Sequence, residues 1–231
     1  MKLFRSSLFF SLSLLFLLCS GFMTSEYETQ NIRGWNIRVN QQLLEENHKL
    51  YQEATELLDI QLQDINQVVP QKHHQFLQSV IIWLEKETPG FKSLVYHPSA
   101  EWLRRNGYNP AKAKAIEITN VNNFIDWSET QPWHILHELA HAYHDRVIGK
   151  DFQPIIRAYN NAVDSGLYQQ VTRNRGDRLW EAYAIKNKSE YFAELSEAYF
   201  GENDFYPFNR QQLAAYDPQG YAAIKQAWKI D

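Results

Sequence analysis

Residues 132–148 read PWHILHELAHAYHDRVI, and the periodicity of this stretch decides the fold. At about 100° per residue, Trp133, Leu136, Leu139, Ala140, Tyr143 and Val147 form one apolar arc. His134, His137, His141 and His144 form a stripe beside it. Such a helix buries one face in a core and presents imidazoles along its flank. Pro132 suits the first turn, Thr130 is the expected cap, and Gly149 is the stop.

Working outward, the segments before this helix are short and strand-like. Trp35 to Asn40 alternates apolar and polar, and Val80–Leu84 and Leu94–Tyr96 are apolar runs ended by turn residues. In Ala115–Val121, Ile116, Ile118 and Val121 alternate with Glu117 and Thr119, which predicts a strand with one wet face. Between them, Leu43–Val69 carries apolar residues at three, four and seven, a long amphipathic helix stopped by Pro70. A second helical stretch is expected over residues 72–79, and Ser99 should cap a short helix through Arg105. Further helices are expected at 152–170, 188–200, 209–216 and 218–229. Neither an internal repeat nor a low-complexity linker interrupts the chain. The fold class is α+β, with one domain over residues 41–231. A small mixed sheet, the histidine helix and a following helical subdomain compose it. Residues 22–34 are polar and aperiodic, so residues 22–40 read as an N-terminal arm.

The chain has 231 residues, 44% hydrophobic and 14% aromatic, which excludes disorder for its bulk. With 23 basic against 27 acidic residues and no Lys/Arg block, it has no phosphate-reading stripe, so nucleic acid is not expected as a partner. Met1–Gly21 reads as a signal peptide: Lys2 and Arg5 precede the apolar run Leu8–Leu18, which is too short to span a bilayer comfortably. Cleavage after Gly21 would remove the single cysteine, Cys19, and leave 21 basic and 27 acidic residues, a net charge of -6. The competing readings are an uncleaved anchor and lipidation at Cys19, the latter weakened by Leu18 before it. The expectation is a secreted or periplasmic protein with no stable membrane span after cleavage. Without disulfides, its stability comes from packing or a bound metal.

His137-Glu138-Leu139-Ala140-His141 is an H-E-x-x-H motif. Residues four apart sit about 40° around and about 6 Å along a helix. The two imidazoles can therefore converge on one zinc ion, with Glu138 beside them as general base for a water. A catalytic zinc takes a third protein ligand. Glu190, Glu194 and Glu197 share one face of the helix over 188–200, with Phe192, Leu195 and Tyr199 on the other. From periodicity alone they are either a ligand face or a solvated acidic face, and Asn187 with Glu190 also fits a capping box.

Tyr183, followed seven residues later by Glu190-Tyr191-Phe192-Ala193-Glu194, completes a set with the H-E-x-x-H motif. This set resembles the catalytic domain of anthrax lethal factor and its relatives, the Pro-Pro endopeptidases. The resemblance covers about residues 115–200. It departs at Ala140, where relatives often carry glycine; alanine is small enough to serve. It implies a zincin-like metallopeptidase domain that holds Zn2+ through His137, His141 and Glu190. It also implies that Tyr183 faces the metal and donates to the oxyanion of a peptide or protein substrate. It further implies that the strand holding Ile116, Glu117 and Ile118 is the edge on which an extended peptide pairs. Glu194, one turn beyond Glu190, is placed to accept the free ring N–H of a ligand histidine.

The remaining candidates have plainer readings. His134 and His144 are expected as neighbours of the ligands, and His73, His74 and His97 as structural. Trp127, Trp133, Tyr206 and Phe208 line either a cleft or the core. The implied function is a secreted zinc peptidase, an endopeptidase rather than an exopeptidase. The alternatives are a cell-wall peptide amidase and a non-catalytic zinc-containing envelope binding protein.

Overall fold

The computed structural model of the chain describes residues 26–230 apart from 175 and 177. The expected signal peptide, its cleavage point and Cys19 lie outside the described residues. β1 (Tyr27–Ile32) and β2 (Trp35–Asn40) form an antiparallel hairpin. Arg33 and Gly34, at φ 52° and 100°, make its two-residue turn. Positive φ at both positions gives the twist that such hairpins require. Residues 27–34 are thus a strand and a turn, where their polar composition suggests a tether. β1 is an edge strand whose side chains are mostly exposed or half-buried, so it carries no apolar alternation to read.

β3 (Ile82–Leu84), β4 (Leu94–Tyr96) and β5 (Ile116–Ile118) complete a mixed sheet in the order β1-β2-β3-β5-β4. β3 lies parallel to β2 and β5, and β4 pairs antiparallel with β5. Trp35, Ile37, Val39, Ile82, Leu84, Ile116 and Ile118 are fully buried. They share one core with Leu58, Leu62 and Ile65 of α2 (His48–Val68). The long helix expected over Leu43–Val69 breaks at Asn47 into α1 (Gln41–Glu46) and α2. Asn47 sits at φ -139°, ψ 48°, a non-helical conformation that its poor helix propensity permits. α3 (His74–Gln78) follows, and α4 (Ala100–Arg105) is capped by Ser99.

The expected wet face of β5 is buried. Glu117 is 1% exposed, and its carboxylate accepts from Thr88 Oγ1 at 2.6 Å, Lys112 Nζ at 2.5 Å and His97 Nε2 at 2.6 Å. Lys112 also pairs with Glu85 at 2.6 Å. Burial pushes the Glu117 carboxyl up, but these partners outweigh it and hold it below the usual carboxylate range. An interior strand tolerates this charge because both carboxylate oxygens find donors, one of them the Lys112 ammonium. β5 is therefore not the edge expected to receive a peptide. That edge is β4.

After α5 (Val121–Trp127), α6 (His134–Tyr143) has Trp133, not Thr130, at its cap position and no side-chain cap hydrogen bond. It continues as a wider π-type turn, His144–Ile148, to Gly149 at φ 79°. α7 (Gln153–Asp164) precedes a small hairpin, β6 (Val171–Thr172) and β7 (Leu179–Trp180). α8 (Lys188–Phe200) is buried from Tyr191 to Phe200, Glu194 and Glu197 included, so of the two readings that periodicity left open the solvated acidic face is the one not found. α9 (Arg210–Tyr216) and α10 (Pro218–Ala227) close the fold. Trp228 ties α6 to α8: it stacks on Tyr143 at 4.1 Å and donates to Ser196 Oγ at 3.0 Å. A Cβ at Gly201 would meet the Trp133 ring at 2.1 Å. Glycine at that position lets the start of α6 lie on the end of α8. Among the described residues, no helix is long and apolar enough to cross a membrane.

Candidate metal centre

α6 and α8 pack together, and their facing side chains build the site. On α8, Asn187 Oδ1 accepts from the backbone N–H groups of Ser189 at 2.8 Å and Glu190 at 3.1 Å. The helix start is thus capped without help from the Glu190 carboxylate. That carboxylate reaches across to α6 instead: Oε2 lies 3.2 Å from His137 Nε2 and 3.0 Å from His141 Nε2, and the two nitrogens are 3.1 Å apart.

This triangle fits a metal ion. Ligand bonds of about 2.0–2.1 Å in a tetrahedron place the donor atoms about 3.3 Å from one another. Two imidazole nitrogens facing at 3.1 Å repel through their lone pairs unless a proton or a cation lies between them. The donors, two nitrogens and one carboxylate oxygen, are the set that borderline-soft Zn2+ prefers and leave a fourth position for water. Among the described residues, His137, His141 and Glu190 could hold such an ion.

The other nitrogen of His137 decides which way the ring presents its lone pair. Nδ1 is 2.6 Å from Glu197 Oε1 and 3.8 Å from Glu194 Oε1. A carboxylate only accepts, so Nδ1 carries a hydrogen, and loss of the Nε2 proton leaves that nitrogen's lone pair for a metal ion held together with Glu190. The residue that holds the ring is Glu197, not Glu194 as spacing suggested. Glu194 lies about 40° around the helix from Glu190, whereas Glu197, two turns on, lies only about 20° off. Glu194 is buried, with Oε2 lacking a hydrogen-bond partner. Burial, then the Glu197 and Asp204 carboxylates, pushes its carboxyl well above the usual range. Replacing Glu197 by alanine is expected to weaken zinc affinity about 10–100-fold, read by competition with a fluorescent chelator. The same substitution at Glu194 should have the smaller effect.

Glu138, 5% exposed, points from α6 to the sheet edge. Its Oε2 accepts from the backbone N–H of Tyr96 at 2.7 Å, and its Oε1 lies 3.5 Å from His134 Nε2. Burial pushes its carboxyl up, but His134 and the imidazoles of His141 and His137 outweigh it and bring it down to about 2. Residues 93 and 97 spend their backbone groups on β5, as in Thr119 N–H to Ser93 O at 3.2 Å and His97 N–H to Ala115 O at 3.0 Å. By alternation, Leu94 and Tyr96 turn theirs to the free edge. Sequence reasoning missed this role of β4, because a three-residue run does not reveal its neighbours.

The site opens into a cavity of about 640 Å³. All four histidines of the α6 stripe line it, as do Tyr183, Glu190 and Glu194. Tyr183 stands on a one-turn 3-10 helix, Tyr183–Lys186, with its ring centre 6.4 Å from that of His137. His144 is buried and its ring nitrogens have no hydrogen-bond partner. Burial, then His141 and two lysines, lowers it to about 4, so it stays neutral at pH 7. Of the four aromatic residues in question, Trp127 lines this cavity, Trp133 packs against the core, and Tyr206 and Phe208 pair with each other. Phe205, Arg173 and Lys150 also line it and carry no signal in the sequence. His97 binds Glu117, and His73 and His74 bond to the carbonyls of Trp228 and Val69.

Residues 95–227 match the family model described as anthrax toxin lethal factor, N- and C-terminal domain. The match spans more than half of the chain, so the protein belongs to that lethal-factor family. Comparison with curated proteins and with solved structures returns no match.

Proposed function

We propose that the protein is a zinc-dependent endopeptidase that works outside the cytoplasm. His137, His141 and Glu190 hold the metal, Glu138 is the general base and Tyr183 is the oxyanion donor. The observation that carries this reading is the triangle of donor atoms 3.0–3.2 Å apart with the ionised Glu138 next to His137 on α6. Family membership supports it. Export rests on the reading of Met1–Gly21.

When bound, Zn2+ lowers the pKa of a water from 15.7 to about 7 and polarises a carbonyl. The chain's own residues do the rest. Glu138 takes a proton from the attacking water as its oxygen bonds to the carbonyl carbon. The carboxyl then passes that proton to the amine nitrogen as the C–N bond breaks. The Tyr96 N–H, 2.7 Å from Oε2, keeps the base aimed while its proton content changes. The Tyr183 hydroxyl donates to the oxygen on which charge develops. An extended substrate pairs along β4 at Leu94, where main-chain groups recognise main-chain groups. Such recognition needs no terminal charge, so cleavage falls inside a chain.

A library of internally quenched peptides, with chelator and zinc-restored controls, tests this reading. Expected are cleavage that chelator abolishes and zinc restores, and a loss of about 10²–10³ in rate for Tyr183→Phe. Cleavage of muropeptides alone would replace the endopeptidase with a cell-wall amidase. Bound zinc without hydrolysis of either would leave a binding protein.

A further inference from the structure

We propose that Lys186 is a positioning residue that aims the Tyr183 hydroxyl at the developing oxyanion, an inference that rests on the peptidase reading above. In a 3-10 turn, residues i and i+3 eclipse each other. The turn Tyr183–Lys186 therefore brings these two side chains together. Lys186 Nζ lies 2.8 Å from the Tyr183 hydroxyl oxygen and 4.4 Å from the ring centre.

An ammonium only donates, whereas a phenol both donates and accepts. Lys186 therefore occupies the accepting side of the oxygen, and the hydroxyl hydrogen must point away from it. Tyr183 lines the cavity, its ring tilted at 46° to that of His137 with centres 6.4 Å apart, so a hydrogen turned away from Lys186 is available to a substrate oxygen in the cavity. Donation into the oxygen also polarises the O–H bond and strengthens it as a donor. The hydrogen bond to Tyr183 raises the Lys186 pKa above its ordinary value, so the ammonium persists at working pH. Among the described residues, Lys186 donates to the Tyr183 hydroxyl, and the Glu190 carboxylate attracts its charge at longer range. Both side chains are exposed, so removing the amine need not disturb the core.

The test is a double-mutant cycle on one quenched peptide taken from the library, with zinc content measured for each variant. Lys186→Met should lower kcat about tenfold, a fraction of the loss for removing the hydroxyl itself. KM should stay within about twofold, and Lys186→Arg, which keeps a charged donor, should recover most of the rate. In a Tyr183→Phe background, Lys186→Met should cost nothing further, because the group it acts through is gone. A second readout needs no turnover. In zinc-free protein labelled at tyrosine Cζ, Lys186→Met should move the resonance that Tyr183→Phe deletes.

Unchanged kcat in Lys186→Met, beside an impaired Tyr183→Phe, would overturn the proposal. So would full additivity in the cycle, or a rise in KM alone, which would make Lys186 a substrate contact. An unimpaired Tyr183→Phe would instead remove the oxyanion role assigned to Tyr183, and the proposal with it.

Discussion

Glu138→Gln should leave zinc bound and lower kcat/KM by about 10³-fold, within the range that a positioned general base supplies. The substitution keeps the shape of the side chain. The Tyr96 N–H, now 2.7 Å from Oε2, still finds a carbonyl oxygen in the amide. Glu138 is 5% exposed, yet no metal donor is lost, because the triangle consists of His137, His141 and Glu190. The expected outcome is therefore a folded, metal-loaded, inactive chain. Metal analysis, a thermal melt and peptide turnover on one preparation check it. Retained turnover would take Glu138 out of the mechanism. Loss of zinc would mean that the carboxylate serves the metal, directly or through a neighbour.

The second large effect falls on the metal itself. The wild-type chain should hold about one zinc, and alanine at His137, His141 or Glu190 should strip it, since a three-ligand site cannot spare one. Zinc that binds only the folded state adds about 2.7 kcal/mol of stability at a concentration 100 times its Kd. The wild-type melting temperature should thus rise with added zinc, and that of the three variants should not. In zinc-free protein, burial pulls the His137 imidazole down, but the Glu190 and Glu197 carboxylates outweigh it and leave it well above 6.5. Zinc must displace that proton, so affinity should fall as pH falls. Normal zinc content in all three variants would refute the ligand assignment.

How much of the site is legible in sequence follows from what is local. The imidazole spacing on α6 and the common face of Glu190, Glu194 and Glu197 on α8 are helix periodicities, readable within two turns. The hairpin turn at Arg33-Gly34 was legible in principle, but Arg at a positive φ is uncommon. Other contacts join residues far apart. Glu138 meets Tyr96 across 42 positions, and His137 meets Glu197 across 60. Neither contact leaves a local trace.

By itself, then, the sequence determined that one helix would present His137, Glu138 and His141 together and that Glu190 would stand on another. Covalent spacing and the pitch of a helix require that much. Packing of the whole chain, by contrast, made β4 and not β5 an edge strand, sealed Glu117 among Lys112, His97 and Thr88, and set Glu197 against the His137 ring. Strand order and the crossing of two helices set those outcomes. Both are settled by how the core packs, a property of all the side chains at once and of no short segment.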